Sequence, residues 1–94
     1  MDRDEIIKTL KSMKELLAKE FEINMIGLFG SVARNDYRPD SDVDVLFLPK
    51  YGYQGKHSAE KFLSDQIGRQ VSLCNQYRIG GDVFKNIKKD IIFL

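Results

Sequence analysis

Two short apolar runs, a third short alternating run and one long amphipathic run predict an α+β protein, a small sheet covered by helices. Residues 23–29 form a near-continuous apolar stretch too short for a helix, and residues 42–48 form another that ends at Pro49. Residues 70–74 carry Val71 and Leu73 on one face of a third strand. Residues 2–20 behave differently: Ile6, Leu10, Met13 and Leu17 follow a four-three-four spacing that stacks them on one side of a helix. The predicted order is α-β-α-β-α-β-α.

Each element has local reasons. Asp2 followed by Glu5 predicts a capping box at the start of the first helix, and Lys8, Lys11, Lys14 and Glu15 form its solvated side. After the first strand, Gly30 to about Asn35 reads as the opening turns of a short helix. Asn35 and Asp36 then leave it through a left-handed conformation, which Asn tolerates better than most residues. Arg38-Pro39-Asp40-Ser41 is a turn by composition. Residues 49–57, with two glycines and with Tyr51 and Tyr53, read as a loop. Ser58 is expected to cap a helix running to about Ile67, with Phe62, Leu63 and Ile67 inward and Gly68 as its stop. Beyond the Gly80-Gly81 turn, Asp82 is expected to cap a last helix in which Phe84, Ile87 and Ile91 share a face.

Composition narrows the function classes. The chain has 94 residues, which predicts one domain over 1–94 with a core of about a dozen to twenty side chains. Fifteen Lys and Arg against fourteen Asp and Glu give a net charge of +1, and the basic residues are spread along the chain. No nucleic-acid surface is therefore evident. A single cysteine, Cys74, excludes an internal disulfide and suits a cytoplasmic location. No secretion signal and no apolar run of membrane-spanning length is visible.

Two motifs carry chemistry. The run Ile26-Gly27-Leu28-Phe29 breaks at Gly30-Ser31, a strand entering a helix start, where free backbone N–H groups and the positive end of the helix dipole suit phosphate oxygens. The competing explanation is an ordinary helix N-cap. The motif is neither a Walker loop nor a dinucleotide fingerprint, since no Gly-Lys-Ser/Thr follows and no G-x-G-x-x-G is present. Asp42-Val43-Asp44 opens the second strand. Alternation makes Asp42 and Asp44 project the same way, with Cα atoms roughly 6.5–7 Å apart, while Val43, Val45 and Phe47 face the core. Two such carboxylates can share Mg²⁺, a hard ion that keeps waters and accepts phosphate oxygens as further ligands. Exposed, solvated strand-edge acids are the alternative. A calcium loop starting at Asp40 fails, because Val45 stands where Gly is required and Tyr51 where Glu is required.

Gly30-Ser31, ten residues, then Asp42-x-Asp44 resembles the signature of the DNA polymerase β-like nucleotidyltransferase superfamily. The length, the segment Gly27-Leu28-Phe29-Gly30-Ser31-Val32-Ala33-Arg34 and the segment Ser41-Asp42-Val43-Asp44-Val45-Leu46 are similar to its minimal nucleotidyltransferases. The resemblance implies the nucleotidyltransferase fold, a mixed twisted sheet flanked by helices. It implies that Gly30 and Ser31 hold a nucleoside triphosphate, ATP by family habit, and that Asp42 and Asp44 are the catalytic metal ligands for Mg²⁺. It further implies an acceptor hydroxyl attacking the α-phosphorus and releasing pyrophosphate. Members of this kind look like antitoxins that transfer AMP to a tyrosine of a HEPN-domain toxin, so a HEPN partner and a homo- or hetero-oligomer are implied too.

One departure stands out. Active relatives usually carry a third carboxylate on the later strand, where this chain reads Val71-Ser72-Leu73. Ser72 is a poor Mg²⁺ ligand and no general base at neutral pH. A rival reading is therefore a decayed site that neutralises a partner by contact alone, and the apolar terminus Ile91-Ile92-Phe93-Leu94 is a candidate contact surface, with core packing as its plainer explanation. The remaining candidates are read as structural: His57 as a surface residue, Tyr51 and Tyr53 as covers for core edges, and Cys74 as packed under a helix. Arg34 is read as a surface or helix-end contact, and Lys85, Lys88 and Lys89 as a solvated face.

Overall fold

A computed structural model describes residues 1–94. Eight elements follow in order: α1 (Arg3–Glu20), β1 (Ile23–Phe29), α2 (Gly30–Arg34), β2 (Val43–Pro49), α3 (His57–Ile67), β3 (Val71–Asn75), α4 (Gly81–Lys88) and β4 (Ile92–Phe93). The strands form one sheet in the order β3-β2-β1-β4, with β1 antiparallel to both β2 and β4 and β2 parallel to β3. The expected mixed sheet is present, with one strand more than the sequence predicts. No helix is long and apolar enough to cross a membrane.

Strand alternation builds the core. Ile23, Met25 and Leu28 of β1, Val43, Val45 and Phe47 of β2, and Val71 and Leu73 of β3 all turn to one face of the sheet. There they meet Ile6, Leu10 and Leu17 of α1 and Ala59, Leu63 and Ile67 of α3, all nearly inaccessible to solvent. The cluster holds 16 residues, inside the expected range. The α1 capping box forms as its residues predict: the Asp2 carboxylate accepts from the Glu5 amide at 2.8 Å, and the Asp2 amide donates to the Glu5 carboxylate at 3.2 Å.

Several boundaries move, each for a local reason. β2 begins at Val43, leaving Asp42 just outside the strand in the preceding turn. Lys56, not Ser58, occupies the N-cap of α3, so His57 opens the helix with its side chain 95% exposed. Gly80, not Asp82, is the N-cap of α4, and no side chain caps that helix. The α4 helix stops at Lys88, so Ile91 falls beyond it. Ile91 instead leads into β4, where Gly27 pairs with Phe93 and Leu28 with Ile92. Two residues are too few to display a period, so the strand is invisible in the sequence. Ile92 and Leu94 pack against the core while Phe93, between them, is 70% exposed. Core packing thus accounts for two of the terminal apolar residues, and alternation sends Phe93 outward.

The outer edge of β3 is covered by side chains from α3. Ser64 Oγ accepts from the Val71 amide at 2.8 Å, Glu60 Oε2 accepts from the Leu73 amide at 2.8 Å, and Lys56 Nζ donates to the Leu73 carbonyl at 3.0 Å. A helix thereby satisfies a strand edge that would otherwise invite pairing with another chain. Glu60→Ala removes the acceptor for a part-buried amide and should destabilise the protein by about 1–3 kcal/mol in chemical denaturation. Glu60→Gln keeps a carbonyl acceptor and should recover most of that loss. Equal stability of the two variants would show that this edge contact carries no weight.

Candidate active site

The face of the sheet away from α1 and α3 carries the residues with chemistry. In the parallel β2–β3 pair, Asp44 stands beside Ser72, and Leu46 beside Cys74. Val43, Val45, Val71 and Leu73 take the opposite, packed face. Ser72 therefore lies on the face opposite Val71 and Leu73, as alternation predicts, and the parallel register sets it beside Asp44. Cys74 falls on the same side and is only partly buried, so it does not pack under a helix. Burial, together with the nearby Asp44 carboxylate, pushes its thiol pKa up.

The Gly-Ser turn meets Asp44 directly. β1 runs antiparallel to β2 and brings Phe29 opposite Asp44. Gly30 then turns the chain into α2 with φ +77°, a left-handed value. A side chain on Gly30 would collide with Asp44 Oδ2 and stand 3.3 Å from its Cγ. The carboxylate thus lies against bare backbone where the helix begins. No side chain caps that first turn. At the other end Asn35 takes φ 65°, as its residue type predicts, and the Asp36 amide closes on the Ser31 carbonyl at 3.0 Å.

Asp42 is exposed and Asp44 half-buried. Burial raises the Asp44 pKa above the usual carboxylate value, the negative charge of Asp42 raises it further, and Arg34 partly offsets both. The two carboxylates are close enough to repel, and their hard oxygens fit a divalent cation that takes further ligands from water and phosphate. No third Asp, Glu, His or Cys joins them in a group able to hold a metal.

Two neighbours, Gly27 and Arg69, escaped sequence reasoning in their roles here, while Arg34 makes the helix-end contact expected of it. Arg34 leaves the short helix to bridge Asp36 at 3.2 Å and Asp90 at 3.5 Å, tying α2 to the turn before β4. Gly27 lets β4 approach, since a Cβ there would lie 2.6 Å from Ile91 Cγ2 and 3.2 Å from the Ile92 carbonyl. Arg69, between α3 and β3, donates to carbonyls of the turn before Asp42. Apart from the local Arg34–Asp36 bridge, these contacts join segments far apart in sequence, and nothing in the residue pattern marks them. Near the C-terminal end of β3, Tyr53, Lys56, Cys74, Asn75, Arg78 and Ile79 help to line an open cavity of about 580 Å³. Tyr53 also rests on Phe47 with ring centroids 5.6 Å apart, as expected of a core-edge cover, whereas Tyr51 is fully exposed.

The polymerase beta nucleotidyltransferase family model matches residues 11–94. The chain belongs to that family. This nucleotidyltransferase is 32% identical over 93 residues to "Putative protein adenylyltransferase MJ0128" of Methanocaldococcus jannaschii, a match covering 96% of this chain and 95% of the relative. It is 27% identical over 93 residues to protein adenylyltransferase MntA of Thermococcus cleftensis, covering 97% and 94%. A solved structure described as a "putative minimal nucleotidyltransferase" shares the fold with a TM-score of 0.82 at 24% identity, over 100% of this chain and 97% of that one. A toxin–antitoxin crystal structure with AMP-PNP superposes with a TM-score of 0.61 at 18% identity, over 99% of this chain and 72% of that one.

Proposed function

We propose that the nucleotidyltransferase is a protein adenylyltransferase that moves AMP from ATP to a tyrosine hydroxyl of a HEPN-domain toxin, and so acts as its antitoxin. The observation that carries the reading is the contact of Gly30 with the Asp44 carboxylate, which joins the phosphate-binding turn and the acid pair at one point. The names of the relatives, matched over nearly the whole chain, support protein as the acceptor. The toxin–antitoxin neighbour with AMP-PNP supports a nucleotide and a macromolecular partner.

In this reading the first-turn amides of α2 and the Ser31 hydroxyl hold the triphosphate, and Asp42 and Asp44 hold Mg²⁺. The cation, when bound, neutralises charge on the phosphates and the leaving group. The acceptor oxygen bonds to the α-phosphorus as the bridging oxygen to the β-phosphorus departs with pyrophosphate. The acceptor proton passes to solvent, because Ser72 offers no carboxylate to receive it. One structural observation favours the rival reading of a binding protein with a retired site: Ser72, beside Asp44, where active relatives usually carry an acid.

Incubation with α-labelled ATP, Mg²⁺ and a HEPN-domain partner separates the two. Label on the partner, lost with Asp42→Asn, is the expected result. Transfer that is absent from the natural chain and appears with Ser72→Asp would establish a retired enzyme. Absence of label in both, with Asp42→Asn still neutralising the toxin, would defeat the adenylylation reading.

A further inference from the structure

Asp42 lies outside the strand that fixes Asp44, at the end of the exposed segment between α2 and β2. A metal ligand in such a place needs its backbone held from elsewhere. Both flanking peptide groups are held by the α3–β3 connection. On the N-terminal side, Arg69 Nη1 donates to the carbonyls of Arg38 at 3.0 Å, Pro39 at 3.0 Å and Ser41 at 3.3 Å. On the C-terminal side, the Val43 amide donates to the Gln70 carbonyl at 2.9 Å. The Arg69 guanidinium also sits over the Tyr37 ring, 4.9 Å from its centroid. Gly68, at φ 78°, ends α3 immediately before this pair.

We propose that Arg69 is a positioning residue for the metal site: by gathering three carbonyls of the Arg38–Ser41 turn onto one guanidinium stacked on Tyr37, it sets where the Asp42 carboxylate stands. The inference rests on the proposed metal role of Asp42. Its chemistry suits the task. Carbonyl dipoles crowded at one point repel one another, and a permanently charged donor offsets that repulsion. The aromatic face below fixes the plane of the fork. Tyr37 and Arg69 stand 32 residues apart in the chain, and Arg69 meets carbonyls rather than the Asp42 carboxylate, so its influence passes through the backbone.

The test is a double-mutant cycle read by direct Mn²⁺ binding, followed by loss of the free-ion EPR signal, without nucleotide or turnover. Residues that orient metal ligands typically govern about 10–100-fold in affinity, so Arg69→Met should weaken Mn²⁺ binding at least about ten-fold. In the Asp42→Asn background the same substitution should change nothing further, because the ligand it positions is gone. Equal weakening in both backgrounds, or no weakening in either, overturns the inference. Asp42→Asn separates this failure from that of the function reading: if it leaves Mn²⁺ affinity unchanged, the metal role of Asp42 itself is wrong. Should Arg69→Met prevent folding, Tyr37→Phe and Tyr37→Ala decide. The first keeps the ring under the guanidinium and binds Mn²⁺ as the natural chain does, and the second binds more weakly. Equal affinity of those two variants overturns the clamp.

Discussion

Asp44→Asn is expected to abolish nucleotidyl transfer while making the metal-free protein more stable at neutral pH. The first effect follows from the proposed role of Asp44 as a charged metal ligand. Electrostatic stabilisation by a bound cation is worth several kcal/mol, and each 1.36 kcal/mol is a factor of ten in rate, so a loss of about 10²-fold or more is expected. The second follows from the raised pKa. Burial and the neighbouring Asp42 charge both disfavour the ionised Asp44 carboxylate in the folded chain. Between the ordinary value of 3.8 and the raised native value, the folded state binds more protons than the unfolded state. Stability contributed by this group is therefore full below 3.8 and is lost as pH rises through the native pKa. This is the reverse of the usual carboxylate in an ion pair. Asparagine never ionises and escapes the penalty. Thermal unfolding in EDTA should show the variant melting above the natural chain at pH 7, with the difference shrinking as pH falls through the raised native pKa and gone below 3.8. Added Mg²⁺ and ATP should raise the melting temperature of the natural chain only. A lower melting temperature for Asp44→Asn in EDTA at pH 7 would mean that the carboxylate makes a stabilising contact that outweighs its burial.

Gly30→Ala should be the other severe substitution. The left-handed backbone at φ +77° costs a residue with a Cβ about 1–2 kcal/mol. The added methyl would also drive into Asp44 Oδ2, with Asp44 Cγ only 3.3 Å away. A carboxylate at the end of a side chain can yield, so the fold should survive with a stability loss of about that size. What yields is the proposed metal ligand itself. A misplacement of about 1 Å at a reacting centre can cost about 10²-fold in rate, so transfer should fall by at least that factor. Gly55→Ala is the control: its backbone is also left-handed, at φ +129°, yet nothing lies within 4 Å of its added Cβ. It should lose stability and keep its rate. Transfer by Gly30→Ala at the natural rate would show that Asp44 does not need its present position.

The site was legible in part because its elements are encoded locally. Gly30-Ser31 and Asp42-x-Asp44 each lie within one short segment; alone each left a plainer explanation open, and together they resemble the nucleotidyltransferase signature that implies phosphate and metal chemistry. The contact between them was not legible, since it depends on β1 returning antiparallel beside β2. Asp42 illustrates the same limit at a finer scale. Its residue type marks it as a candidate ligand, yet it stands outside the strand, with its flanking peptide groups bonded to Arg69 and Gln70 from a distant segment. Ser72 was placed beside the acids by alternation, but which residue of β2 it would neighbour required the parallel register.

The sequence by itself determined what depends on neighbouring residues: the α1 capping box, the left-handed exit at Asn35, the alternation that buries Val43, Val45 and Phe47, and the chemical character of Gly30, Ser31, Asp42 and Asp44. These are short-range consequences of side-chain size, backbone freedom and hydrogen-bonding capacity, which a local window contains. Tertiary structure decided the brief β4 strand against Gly27, the α3 side chains along the β3 edge, and the contacts of Arg69 with the turn before Asp42. Each requires partners brought together by sheet pairing, and no window of sequence holds both halves of such a contact.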